Sequence, residues 1–326
     1  MEGGKIGKIK GELGGRVKEN VALSLYTTLG IGGHAKLLAE AYRQKDLINA
    51  VNIAGQNNIA FVVIAGGSNL LVSDERYDGF VIVIKTSGIK REGSKVIVEA
   101  GTKLQEFVDF AIANGLAGVE CLIGIPGTIG GAIYGNAGAY GQTINDKFVK
   151  AEVFDQKRIV EFSKEQCKFS YRESIFQKNK FIILRLEFLF DEKTSPLVLK
   201  NKAEEILKQR LVKYPPNLLC PGSFFKNVIV ADLPKDVLDK IPPERIVYGK
   251  IPAGYLLEVV GAKGKTKGKI KIADHHGNLF VNQGGGKASD FVYLAKTYAR
   301  KVKDKFGIIL EPEVQFVGVE SLALQY

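Results

Sequence analysis

The chain has 326 residues, 45% of them apolar and 25% charged, a balance that excludes a disordered chain or a coiled coil and leaves room for about two domains. Its 46 basic and 35 acidic residues give a formal charge of +11, which favours anionic partners such as nucleic acid, an acidic surface or phosphorylated small molecules. Three cysteines, Cys121, Cys167 and Cys220, with no short spacing among them, exclude a disulfide framework and a zinc knuckle and fit a reducing compartment.

Met1 to Lys10 is glycine and lysine with isolated isoleucines and lacks the apolar core of a signal peptide. The most apolar region, 115–141, holds nine glycines, Pro126 and Glu120, and 181–190 is interrupted by Arg185 and Glu187, so no membrane span is expected. The expected location is the cytoplasm.

In chain order, Asp46 is a candidate N-cap for a helix over 46–58 carrying Leu47, Ile48, Val51 and Ile53, and Phe61 to Ile64 reads as a buried strand. The small-residue loop Ala65-Gly66-Gly67-Ser68-Asn69-Leu70 separates it from a second apolar run, Phe80 to Ile84. Thr102 caps a predicted helix with Leu104, Phe107, Val108 and Ala111, ended by Asn114-Gly115. Gly124 to Gly141 has too much glycine for a helix of its own and too little polarity for a linker, so it is expected to line a site. Strands at about 148–155 and 181–190 precede a charged helix at about 199–212, then a turn-rich and proline-punctuated stretch.

Lys263, Lys265, Lys267, Lys269 and Lys271 alternate with Gly264, Thr266, Gly268 and Ile270, which in one strand would put all five ammonium groups on one face, either as an anion contact or as a solvated edge that repels pairing. Gly264-Lys265-Thr266 is not a phosphate loop, since Val259 stands where its first glycine is needed. Ser289 caps a predicted helix through Phe306, terminated by Gly307 before a strand from Ile308. The interleaving of helices and strands indicates α+β or mixed α/β.

A diphosphate needs several N–H donors, and only glycine-rich backbone brings them close without obstruction. The loops 65–70 and 124–141 provide such backbone, although neither matches the dinucleotide fingerprint, and each is alternatively a tight packed turn. Three histidines, His34 and the His275-His276 pair, are little material for a metal site or a charge relay, and the pair would face opposite sides of a strand. Acid and electrophile candidates lie in Tyr171-Arg172-Glu173-Ser174, Gly222-Ser223-Phe224-Phe225-Lys226-Asn227 and Leu310-Glu311-Pro312-Glu313-Val314. Singly, each has a bland alternative: Arg172 paired with Glu173, Ser223 in a turn, Glu313 as an edge charge.

Taken in order with Tyr26-Thr27-Thr28-Leu29-Gly30-Ile31-Gly32-Gly33, the two glycine loops, His276-x-Asn278 and Val281-Asn282, these motifs resemble the UDP-N-acetylenolpyruvoylglucosamine reductases. These flavoenzymes make UDP-N-acetylmuramate for bacterial peptidoglycan. The resemblance implies an α+β fold of the vanillyl-alcohol-oxidase type. Residues 1–85, joined by a C-terminal strand over 308–326, and residues 86–195 would hold FAD, and 196–307 would bind substrate. It implies non-covalent FAD surrounded by Gly66, Gly67, Ser68, Asn69, Leu70, Ile125, Pro126, Gly127, Gly130, Gly131, Asn136, Gly138 and Ala139.

It also implies NADPH as reductant, Ser223 as proton donor, and Arg172 with Glu313 at the carboxylate of a UDP-sugar enolpyruvyl ether, with Tyr171, Lys226 and Asn227 binding substrate and no metal. Cys220-Pro221 and Val228 depart from the usual surroundings of the serine, and the short Arg172-to-Ser223 spacing resembles the type II form. Two other readings compete: a flavin-dependent oxidase or dehydrogenase of an alcohol or hydroxy acid, and a basic nucleic-acid-binding protein. The absence of histidine from both glycine loops argues against covalent flavin, and the lack of interleaved aromatic and basic residues argues against nucleic acid. The expected protein is a monomer.

Overall fold

The structure, a computed structural model, describes residues 2–13, 16–191 and 193–318, with a mixed helix and strand content consistent with the α+β class. It forms two compact units, one of Met1–Val21, Ala35–Gly66 and Asp78–Tyr214, the other of Ala22–His34, Gly67–Tyr77 and Pro215–Tyr326.

In the first unit a four-stranded sheet has the spatial order Val17–Ala22, His34–Ala41, Tyr77–Ile84, Phe61–Ile64, the last two strands parallel with Phe61 opposite Phe80. The helix Gln44–Gln56 packs Leu47, Ala50, Val51, Ile53 and Ala54 into its core. An antiparallel five-stranded sheet runs Ile159–Ser163, Phe148–Phe154, Ile182–Leu189, Lys95–Glu99, Ile89–Glu92. Its alternating inward residues meet the helix Leu104–Ala113, with the Phe107 and Phe188 ring centroids 4.7 Å apart.

In the second unit the strands Thr266–Lys267, Ile270–Ile272 and Phe280–Asn282 form one antiparallel sheet. Phe280 stacks on Phe291 of the helix Ala288–Phe306 at 5.0 Å, and Phe224 lies 5.4 and 5.1 Å from the same two rings. The strand Gln315–Val317 pairs in parallel with Leu70–Val72.

Several sequence expectations are corrected. The first long helix starts at Gln44, and Asp46 sits within its first turn, where its carboxylate accepts from Arg43 and Arg16 instead of capping. Thr102 does not cap Leu104–Ala113; its hydroxyl donates to the Gly88 carbonyl. Gly124–Gly141 does contain a helix, Ile129–Tyr134, because Thr128 Oγ1 accepts from the Gly131 amide and Gly130 is needed for packing.

The five lysines do not share a strand face. Gly264 and Gly268 take positive φ, 73° and 54°, and fold the stretch into a hairpin. His275 and His276 lie in a turn, with His276 Nδ1 accepting from the Asn278 amide at 3.1 Å. The last strand begins at Gln315, not Ile308, since Pro312 lacks an N–H and Glu311 to Glu313 make single bridging bonds; residues 319–326 of the expected 308–326 segment lie outside the described residues.

Ser289 is inside its helix and not its cap. The capping group is Asp74, a distant residue of the same unit, which accepts from the Ala288 and Ser289 amides at 2.7 and 3.0 Å and from Ser289 Oγ at 3.1 Å. A carboxylate at a helix N-terminus satisfies orphan donors and complements the helix dipole. Asp74→Ala should therefore cost about 1 kcal/mol, and Asp74→Asn much less, as read from denaturant midpoints.

Candidate active site

In the first unit the glycine-rich segment is fixed through its main chain. The Gly127 carbonyl accepts from the Leu104 amide at 3.0 Å, Ile129 donates to Thr102 at 2.9 Å and Gly130 donates to Ala100 at 2.8 Å. A Cβ on Gly130 would stand 2.8 Å from the Ala100 carbonyl oxygen, so only glycine allows this approach. Gly66 reaches the same place from another strand end, its would-be Cβ 2.7 Å from Gly127 Cα. Gly131, next in line, faces outward: a Cβ there meets only Thr128 Oγ1, at 3.5 Å.

Beyond that helix the chain turns through Asn136, at φ 43°, into the hairpin Gly138–Ala139 and Gln142–Thr143. Asn136 donates from Nδ2 to the Ser170 carbonyl at 2.7 Å and accepts at Oδ1 from Asn145 at 2.8 Å. Arg172, itself at φ 59°, reaches back to this segment and donates from Nη2 to the Gly138 carbonyl at 2.7 Å and from Nη1 to the Asn136 carbonyl at 3.5 Å. Its guanidinium lies over the Tyr171 ring, 5.2 Å from the centroid. Arg172 is thus oriented by carbonyls of the loop, while Glu173 pairs with Lys178.

In the second unit the serine motif is threaded between two segments. Ser223 bridges to Leu279. The buried Asn278 side chain clamps the next residues, accepting from the Phe225 amide at 2.9 Å and donating to the Phe225 carbonyl at 2.8 Å. On the other side Lys226 donates through its amide to Glu311 at 2.8 Å, and the Glu313 amide donates to the Phe224 carbonyl at 2.7 Å. Asn69 Nδ2 donates to the Glu313 carbonyl at 3.0 Å. Asn227 accepts from the Ala253 amide at 3.2 Å, and Lys226 pairs with Glu311 at 3.4 Å. The Thr27-Thr28 motif is tied in by Thr28 Oγ1, which donates to the Cys220 carbonyl at 2.8 Å.

The expected site residues divide between the units. Gly66, Ile125, Pro126, Gly127, Gly130, Gly131, Asn136, Gly138, Ala139, Tyr171 and Arg172 lie in the first; Gly67, Ser68, Asn69, Leu70, Ser223, Lys226, Asn227 and Glu313 lie in the second. Sequence reasoning noticed the His276-x-Asn278 motif without seeing that Asn278 shapes the serine segment. It also passed over Glu120, whose signal was a lone acid in an apolar stretch.

Glu120 is 3% exposed. Burial alone would raise its pKa, but Lys202 at 2.6 Å, the Gly118 amide at 2.7 Å and Gln142 at 2.9 Å outweigh that and lower it to about 2. The associated stabilisation is complete above the ordinary carboxylate range and drains away only as pH falls toward 2.

These residues fit FAD on structural grounds. The outward face at Gly131 is a surface that a Cβ would fill, and among the described residues the amides of Gly66, Gly127 and Thr128 have no protein acceptor. Backbone donors on side-chain-free chain are what a pyrophosphate requires. Among the described residues no cluster of His, Cys, Asp and Glu is arranged to hold a metal ion.

Comparison with known proteins points to the same cofactor. Residues 35–159 match the model of an FAD binding domain, and residues 215–317 match that of the UDP-N-acetylenolpyruvoylglucosamine reductase C-terminal domain. The chain is 41% identical over 303 residues to the UDP-N-acetylenolpyruvoylglucosamine reductase of Solibacter usitatus, covering 93% of this chain and 97% of that protein. It is 37% identical to the enzyme of the same name from Caldicellulosiruptor bescii, covering 91% and 89%. The crystal structure of the Thermus caldophilus reductase superposes with a TM-score of 0.73 at 30% identity, over 93% of this chain and 99% of that one.

The two neighbouring glycines differ in what a Cβ would meet. Gly130→Ala should destabilise the flavin-free protein, because its Cβ meets backbone. Gly131→Ala should leave that stability intact and weaken flavin retention about tenfold, the equivalent of one lost hydrogen bond, as measured by the flavin-to-protein absorbance ratio after dialysis.

Proposed function

This chain belongs to the UDP-N-acetylenolpyruvoylglucosamine reductase family, and from that premise we propose how its residues divide the work. The protein is an FAD-dependent, NADPH-consuming oxidoreductase that reduces the enolpyruvyl ether of UDP-N-acetylglucosamine to UDP-N-acetylmuramate in peptidoglycan precursor synthesis. The reductase C-terminal domain over 215–317 displaces the alternative of an alcohol or hydroxy-acid oxidase. Held non-covalently, FAD would supply hydride transfer between NADPH and the terminal carbon of the enolpyruvyl group.

The chain then has two tasks: to give a proton to the adjacent carbon, and to offset the negative charge that develops beside the substrate carboxylate. Ser223 is the proton donor. A serine hydroxyl is a weak acid, but its partner here is a strongly basic carbanion, and solvent or Lys226 restores the proton.

Arg172, oriented by the Gly138 and Asn136 carbonyls, holds the carboxylate through its planar guanidinium fork. Glu313 acts at the same group as an orienting or protonated donor, because a bare carboxylate beside an enolate would oppose the reaction. Tyr171, Lys226 and Asn227 bind the UDP-sugar. The flavin is surrounded by Gly66, Gly67, Ser68, Asn69, Leu70, Ile125, Pro126, Gly127, Gly130, Gly131, Asn136, Gly138 and Ala139.

The same reading makes the enzyme a cytoplasmic monomer without a nucleic-acid partner. No helix among the described residues is long and apolar enough to cross a membrane. The observation that supports the catalytic assignment is the 2.7 Å bond from the Glu313 amide to the carbonyl of Phe224, the residue after Ser223, which brings the two backbone segments together.

Anaerobic half-reactions test it. Ser223→Ala should leave flavin reduction by NADPH within about twofold of wild type while slowing reoxidation by the enolpyruvyl sugar by about 10²–10⁴-fold; equal loss in both halves removes Ser223 as the acid. Arg172→Lys should raise the substrate KM and slow reoxidation by about 10–100-fold, since an ammonium cannot replace the planar fork.

A further inference from the structure

Glu120 has no part in the chemistry above, yet it joins three segments of the first unit. A buried carboxylate is tolerated only when its lone pairs are filled. Here Oε1 receives Lys202 Nζ at 2.6 Å and Gln142 Nε2 at 2.9 Å, and Oε2 receives the Gly118 amide at 2.7 Å. With its Nε2 committed, Gln142 has one orientation left for its carbonyl, which accepts from the Cys121 amide at 2.9 Å.

Gln142 is also half of a tight hairpin. It pairs with Ala139, Thr143 pairs with Gly138, and the turn residues Tyr140 and Gly141 both take positive φ, 50° and 83°. The Gly138 carbonyl at the base of this hairpin is the acceptor for Arg172 Nη2. A continuous path therefore leads from the carboxylate through Gln142 and the hairpin to the guanidinium.

We propose that Glu120 is a positioning residue for the reaction, setting the Gly138–Thr143 hairpin and through it the direction of the Arg172 guanidinium. The proposal rests on the reading of Arg172 given above. A neutral amide cannot substitute. It offers one acceptor oxygen where Gly118, Gln142 and Lys202 present three donors, and its own NH2 would oppose one of them. The charge persists through any working pH, because the carboxyl is held near pKa 2. Asp146 anchors the hairpin separately, accepting from the Thr143 amide at 2.7 Å and its hydroxyl at 2.5 Å, so loss of Glu120 should loosen the hairpin without unfolding it.

The test uses Glu120→Gln, with Lys202→Met as a milder variant that removes only the half-exposed partner of the same carboxylate. In the flavin-free full chain, amide hydrogen exchange over 138–143 should rise about tenfold in Glu120→Gln and less in Lys202→Met, with the rest of the first unit unchanged apart from the Gly118 and Cys121 amides, which donate to Glu120 and Gln142. In the flavin-loaded enzyme, reduction by NADPH should stay within about twofold of wild type, while the KM for the enolpyruvyl sugar rises about tenfold and reoxidation slows.

Unchanged hairpin exchange in both variants overturns the proposal, because Asp146 would then suffice. A loosened hairpin with both half-reactions intact, or both slowed equally, overturns it as well. Arg172→Lys measured in parallel keeps the two readings apart: wild-type reoxidation there removes Arg172 from the carboxylate, whereas the exchange result in Glu120→Gln stands without it.

Discussion

Main-chain N–H and C=O groups taken out of water must find partners, and the glycine-rich segment from Gly124 to Gly141 is shaped by that requirement. On one side its groups are met: Gly127, Ile129 and Gly130 bond to the ends of the neighbouring strand and helix at Ala100, Thr102 and Leu104. Those partners are themselves set by the core in which Phe107 packs on Phe188. On the other side, at Gly131, the chain is bare. A strand-and-helix core so fixes one face of a loop that the opposite face stays open, and Arg172 is attached to the same loop through carbonyls.

The second unit uses the same device with different residues. The segments of Ser223 and Glu313 are separated by most of the unit's sequence, yet amide-to-carbonyl bonds at Phe224 and Lys226 join them, and two asparagines lock the arrangement from either side. Asn278 satisfies both backbone groups of Phe225, and Asn69 caps the Glu313 carbonyl. Below them Phe224, Phe280 and Phe291 form the apolar floor. The position of the Ser223 segment is thereby built from main-chain geometry, with little freedom left to the loop itself.

Local patterns carried much of this into the sequence. The Phe107-Val108-Ala111 spacing and the Asn114-Gly115 stop announced their helix, and clustered glycine announced the loops. Patterns failed where a distant group decides the outcome. Thr102 and Ser289 were reasonable caps by type, but Thr102 is drawn off to Gly88, and Asp74 supplies the cap for Ser289's helix from far along the chain. The lysine alternation implied a single strand face, and two glycines at positive φ folded it into a hairpin instead. Glu120 was invisible for the same reason: nothing local indicates that Lys202, Gly118 and Gln142 converge on it.

The account stands on side-chain-free backbone serving a flavin that is emptied and refilled by two different substrates. Its most direct test is the visible spectrum of the purified full chain, followed anaerobically through one cycle. The account predicts about one flavin per chain, bleaching on NADPH and full return of colour on adding the enolpyruvyl UDP-sugar. A protein that binds no flavin when FAD is supplied, or a reduced flavin that oxygen reoxidises while the enolpyruvyl sugar does not, would contradict it.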